Sequence, residues 1–183
     1  MASENAPVPA RLFTWANALT LARLALVPAL VWAILEMRVF AALAIFVAAC
    51  ASDFADGGLA RRLGQASSLG GLLDHATDAT LVVAGLAALS ARGQVPGLLP
   101  ILVAAAFLQY VVDSRAGAGR PLRSNPIGRW NGIAYYVLLG TPLVRDAAGV
   151  LWPWDTLVRL VGWLLVASTG ISMLQRITGR ATR

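Results

Sequence analysis

Long apolar runs separated by short polar breaks dominate this chain. Each run is long enough for a helix of roughly 20 residues, or about 30 Å. The pattern predicts helices from about Trp15 to Met37, Val39 to Ala60, Ser68 to Ala91, Val95 to Asp113, Arg129 to Val150 and Asp155 to Ile177. Arg92-Gly93-Gln94 and Trp152-Pro153-Trp154 carry turn signals between them. The one long polar linker, Ser114 to Gly128, is rich in Arg, Gly and Pro. No internal repeat or soluble segment stands out, so residues 1–183 read as a single domain. The expected fold is all-α, a polytopic membrane protein with six transmembrane helices.

Composition supports that class. Hydrophobic residues make up 58% and charged residues 13%, against roughly 45–50% and 25% in soluble domains. The net charge of +6 comes from Arg alone, because the chain has no Lys. A Lys Schiff base and a P-loop Lys are therefore excluded. A sequence pI near 11 could suggest nucleic acid, but the arginines fall between apolar runs, which points to topology instead. With both termini inside, ten arginines (Arg11, Arg61, Arg62, Arg115, Arg120, Arg123, Arg129, Arg176, Arg180 and Arg183) face the cytoplasm. Four (Arg38, Arg92, Arg145 and Arg159) face out, and Arg23 lies inside the first run. The bias predicts cytoplasmic termini. Met1 to Arg11 lacks the basic start of a signal peptide, so the first run reads as a retained span. Cys50 is the only cysteine, which leaves no intramolecular disulfide and no cysteine metal cluster.

Four of the nine acidic residues fall between Ser52 and Thr80. Asp53 and Asp56 are three apart, Asp74 and Asp78 four apart, so each pair shares one helical face. Two adjacent antiparallel helices can gather these carboxylates at one cytoplasmic end. Ionised groups at a membrane normally mark function, and four such charges at close range call for cations. Hard oxygen ligands suit Mg²⁺ or Mn²⁺, which also bind substrate phosphates. Gly57 and Ala60 leave space beside Asp56, Arg61 offers a fork for phosphate oxygens, and Gly70 and Gly71 precede Asp74 by one turn. Together they describe a pyrophosphate site at a membrane surface.

The run Asp53-x2-Asp56-Gly57-x2-Ala60-Arg61-x8-Gly70-x3-Asp74-x3-Asp78 resembles the complete signature of the CDP-alcohol phosphotransferases. Asn17-Ala18-Leu19-Thr20-Leu21-Ala22-Arg23 resembles a weaker N-x-L-T-x-x-R pattern found in many members. The resemblance implies two divalent ions held by Asp53, Asp56, Asp74 and Asp78, with Asp78 as metal ligand or general base. It implies a cytidine nucleotide site at Gly57, Ala60, Arg61 and Gly70. The implied reaction is transfer of a phosphatidyl group from a CDP-diacylglycerol-type lipid to an alcohol, with release of CMP. A homodimer follows from the same resemblance, and the arginine bias places the site at the cytoplasmic face of what is expected to be a bacterial inner membrane.

Length and the first-helix pattern favour a phosphatidylglycerophosphate-synthase-like branch, with glycerol 3-phosphate as acceptor. Three positions depart from it. His75 stands where that branch reads Pro after the aspartate, Ala79 where it reads Lys, and Arg129 where many members carry Lys. Use of an acceptor like that of cardiolipin synthases or phosphatidylinositol-phosphate synthases therefore stays open. Arg115, Arg120, Arg123 and Arg129 suit either an acceptor phosphate or anionic lipid headgroups. His75 is expected at a helix interface, and Asp113 beside Arg115 or a neighbour rather than among the metal ligands. The tryptophans mostly fall near helix ends, as an aromatic belt does. A small cation carrier would place its carboxylates near the bilayer midplane on broken helices; here they fall at a helix end beside Gly and Arg.

Overall fold

In the computed structural model, residues 15–62, 68–114 and 126–178 are described, with side chains for all of these except 15–21, 54–62, 68–70 and 114. They form α1 (Trp15–Leu35), α2 (Val39–Arg62), α3 (Ser68–Ala91), α4 (Leu98–Ser114), α5 (Pro126–Ala148) and α6 (Asp155–Ile177), with no strand among them. Helix limits follow local chemistry. Behind α1 the chain turns at Met37, whose φ of 56° is a left-handed conformation that usually falls to glycine. Gly93 (φ 72°) and Gly149 (φ 64°) fill the corresponding positions after α3 and α5. Helix α4 starts at Leu98 rather than Val95, because Pro96 biases the residue before it away from helical geometry. Helix α5 starts at Pro126 rather than Arg129, since proline is suited to a first helical turn.

The helices pack as two groups of four that share α3 and α5. In one, α1 lies against α2 and α3, while α2 and α3 both touch α5. In the other, α4 lies against α3 and α6, and α5 against α6. Leu30, Ile34, Leu81, Leu86, Leu89 and Leu139 are fully buried in the core. Small residues permit the closest approaches. A Cβ on Gly140 would stand 2.8 Å from the Phe46 ring of α2, and one on Gly85 would stand 2.8 Å from Leu139. Such contacts supply van der Waals packing where the surroundings offer no hydrophobic driving force between helices.

The outward surface is apolar, with Trp32, Phe40, Leu108, Val112, Val137 and Leu164 all exposed. Segments Gly71–Ala91 and Asp155–Ile177 are each long and apolar enough to cross a membrane. Ala22–Leu35, Val39–Asp53 and Leu98–Asp113 are apolar but shorter. Helix α5 is continuous, but its apolar sequence is broken by Arg129, Asn131, Arg145 and Asp146. At the far end of the bundle Arg145 is buried and ties the turns together. It donates to Asp146 Oδ1 at 2.8 Å, Asp155 Oδ1 at 2.6 Å and the Pro153 carbonyl at 3.0 Å.

Candidate active site

Asp74 and Asp78 sit one turn apart on α3, and Asp53 lies on the facing stretch of α2. Helix α1 adds a residue that the carboxylate pattern does not include. The Arg23 side chain is fully buried, whereas those of Asp53, Asp74 and Asp78 are 43%, 32% and 24% exposed. Arg23 Nη1 donates to Asp74 Oδ1 and to Asp78 Oδ1, both at 2.9 Å. The same nitrogen lies 3.4 Å from Asp53 Oδ1. Arg23 Nε donates to Ser52 Oγ at 3.1 Å, and Ser52 Oγ donates in turn to the Ala49 carbonyl at 2.9 Å. A guanidinium alone at this depth would lose several kcal/mol of hydration. Its contacts with three carboxylates, two of them charge-assisted hydrogen bonds, offset that loss and join three helices.

The cluster has the chemistry of a hard-cation site. One oxygen from each of Asp53, Asp74 and Asp78 lies within 4.8 Å of the others. Oxygens on opposite sides of a Mg²⁺ are about 4.2 Å apart, given a bond length of about 2.1 Å. Small side-chain adjustments therefore close the donor set around an ion. Arg23 Nη1 reaches the Oδ1 atom of all three carboxylates. Asp56, Gly57, Ala60 and Arg61 lie on α2 and Gly70 on α3, but their side chains fall outside the described residues. A Cβ on Gly71 would meet nothing within 4 Å, so helix packing is not what requires a glycine there.

Asp78 also borders a cavity of about 460 Å³ within the second group of helices. Val82, Val103, Phe107 and Ile133 give it apolar walls, and Arg129 and Arg176 supply cationic groups. Arg176 lies over the Tyr110 ring, 5.0 Å from its centroid. His75 meets the same ring at 6.4 Å, and its Nδ1 is 2.9 Å from the Gly71 carbonyl, which places it at the interface of α3 and α4. The cavity wall is polar between α5 and α6. Tyr135 Oη and Thr169 Oγ1 are 2.6 Å apart, and Ser168 Oγ donates to Asn131 Oδ1 at 2.7 Å. Asn131 Nδ2 is buried with no hydrogen-bond partner among the described residues.

The structure thus brings together Asp53, Asp74 and Asp78, and it puts Arg129 on the cavity beside them. Arg115, Arg120 and Arg123 lie outside the described residues. Asp113 is exposed and not part of the carboxylate group. Sequence reasoning missed Arg23 as a site residue, although a lone arginine inside an apolar run was a signal in itself. It also missed Arg176, Asn131 and Tyr135, which no local motif singles out.

Known proteins are similar to this chain in sequence. The chain is 33% identical over 162 residues to "Cardiolipin synthase (CMP-forming)" of Streptomyces coelicolor, covering 84% of this chain and 74% of that one. It is 39% identical over 101 residues to "Probable phosphatidylglycerophosphate synthase" of Mycobacterium tuberculosis. That match spans 51% of this chain and about half (48%) of the mycobacterial protein's length. The profile of the CDP-alcohol phosphatidyltransferases matches residues 13–171. That stretch takes in α1 with Arg23, the three clustered carboxylates and the cavity helices through Ile171, and by this match the chain belongs to the CDP-alcohol phosphatidyltransferase family.

Proposed function

We propose that this chain is a phospholipid-biosynthetic transferase that moves a phosphatidyl group from CDP-diacylglycerol to an alcohol and releases CMP. The observation that carries the reading is the group of Asp53, Asp74 and Asp78, with oxygens within 4.8 Å, whose member Asp78 borders a cavity that reaches Arg129. Asp56 completes the carboxylate set by its position in the signature. Two Mg²⁺ or Mn²⁺ ions held there would supply Lewis-acid charge for the pyrophosphate and the departing CMP. Gly57, Ala60, Arg61 and Gly70 bind the cytidine nucleotide. Asp78, the one carboxylate of the three that borders the cavity, takes the proton of the acceptor hydroxyl. That oxygen attacks the phosphorus attached to the lipid, and the bond to CMP breaks. Arg129, with Arg115, Arg120 and Arg123 from the neighbouring linker, binds the acceptor's phosphate.

The acceptor we propose is glycerol 3-phosphate, in line with the name of the M. tuberculosis relative. A second reading, a lipid alcohol such as phosphatidylglycerol, draws on the apolar cavity walls and the name of the S. coelicolor relative. Six membrane crossings, cytoplasmic termini, a site at the cytoplasmic face of a bacterial inner membrane, a single domain and a homodimer complete the proposal. The apolar outer surface supports the membrane setting. The test is CMP release from CDP-diacylglycerol and Mg²⁺, with glycerol 3-phosphate, an inositol phosphate and phosphatidylglycerol as separate acceptors. Release with glycerol 3-phosphate alone is expected, and release with none of the three would sink the transferase reading. A cation carrier would release no CMP.

A further inference from the structure

Building on the metal-site reading above, we infer that Arg23 is the resident counter-ion of the carboxylate cluster, a positioning residue that keeps the metal-free site assembled and weakens its grip on divalent cations. A single nitrogen, Nη1, reaches carboxylates on two helices: Asp53 on α2, and Asp74 and Asp78 on α3. The guanidinium is fully buried and anchored behind them through Nε and Ser52 Oγ, so it cannot swing out as a surface arginine would. The carboxylates are the solvent-facing side of the cluster, each more than a fifth exposed. An entering cation therefore meets the carboxylates first and the arginine behind them.

Two consequences follow. With no metal bound, Arg23 offsets the mutual repulsion of three carboxylates whose oxygens lie within 4.8 Å. With metal bound, the same positive charge stands one carboxylate away from a dication and repels it. A like charge at such range changes an ionic equilibrium about ten- to thousandfold. The opposing effect, lost ordering of short side chains that a helix already restricts to few rotamers, is smaller, roughly tenfold or less in total. Repulsion wins, so Arg23 exchanges metal affinity for a site that survives empty.

The experiment uses the full chain in detergent, stripped with a chelator and titrated with Mn²⁺. Free Mn²⁺ is followed by its electron paramagnetic resonance signal, and thermal unfolding is recorded with and without saturating Mn²⁺. Arg23→Gln is expected to bind Mn²⁺ about tenfold or more tightly than wild type. It melts lower than wild type in chelator and recovers most of that loss in Mn²⁺, as linkage requires of the tighter binder. Arg23→Lys, which keeps the charge, binds within about threefold of wild type, well inside the charge effect. Mn²⁺ binding by Arg23→Gln that is no tighter than wild type, or an equal melting loss with and without Mn²⁺, overturns the inference. So does Arg23→Lys binding as tightly as Arg23→Gln. An Arg23→Gln protein that stays unfolded even in Mn²⁺ also overturns it, because packing rather than charge would then be the arginine's role. Wild type that binds no Mn²⁺ would sink the metal-site reading beneath it instead.

Discussion

Asp78→Asn separates chemistry from architecture at this site. Asp78 Oδ1 accepts a 2.9 Å hydrogen bond from Arg23 Nη1, and an asparagine oxygen can accept the same bond. What changes is its charge. A charge-assisted bond becomes an ordinary one, a loss of about 1 kcal/mol, equivalent to about 2–4 °C in melting temperature for a soluble domain of this size. The loss to catalysis is larger. A positioned general base contributes roughly 10²–10⁴ in rate, and an amide is also a poorer metal ligand. We expect kcat for CMP release to fall at least about 10³-fold, which is about 4 kcal/mol at 1.36 kcal/mol per decade. Donor binding should survive, because Asp53, Asp56 and Asp74 remain. The assay is CMP release under saturating donor and acceptor, with CDP-diacylglycerol binding and thermal unfolding measured on the same preparation. A folded, donor-binding Asp78→Asn enzyme that keeps a tenth of wild-type turnover would refute Asp78 as the base.

Arg129→Ala should raise the acceptor KM about tenfold or more while kcat at saturation changes little, as loss of a charged phosphate contact requires. An unchanged KM with poorer membrane insertion would assign Arg129 to topology. Gly162→Ala places a Cβ 2.5 Å from Pro96 Cδ, and a proline ring yields little. It should lower stability by about 1–3 kcal/mol, read as a drop in melting temperature in detergent; no change would mean α6 can shift from the α3–α4 turn. Met37→Gly removes a side chain from a left-handed position at φ 56°. It should stabilise the protein by about 1 kcal/mol, and a destabilised variant would show that Met37 packing outweighs its backbone strain.

Helix positions were largely legible from the sequence, because long apolar runs broken by Gly, Pro and Arg leave little choice of element. The largest departures were starts, at Leu98 and Pro126, where proline acts over a distance of a few residues. The pairing of carboxylates was equally legible. Spacings of three and four residues determine which side chains share a helical face, whatever the rest of the chain does.

Partners across helices were not legible in the same way. Arg23 is 30 residues from Asp53 and 55 from Asp78, and only the packing of α1 against α2 and α3 puts its guanidinium among them. The carboxylate pattern suggested that mutual repulsion must be met by metal ions; the folded chain meets part of it with a buried arginine. The cavity likewise belongs to no segment. Asp78 borders it because α3 is shared by both groups of helices, and Arg129 and Arg176 reach it from α5 and α6. Local sequence dictates what each helix carries on each face, since backbone geometry alone sets that periodicity. Which faces meet depends on how well surfaces such as Gly140 and Phe46, or Gly85 and Leu139, fit together, and that is decided only when all six helices pack.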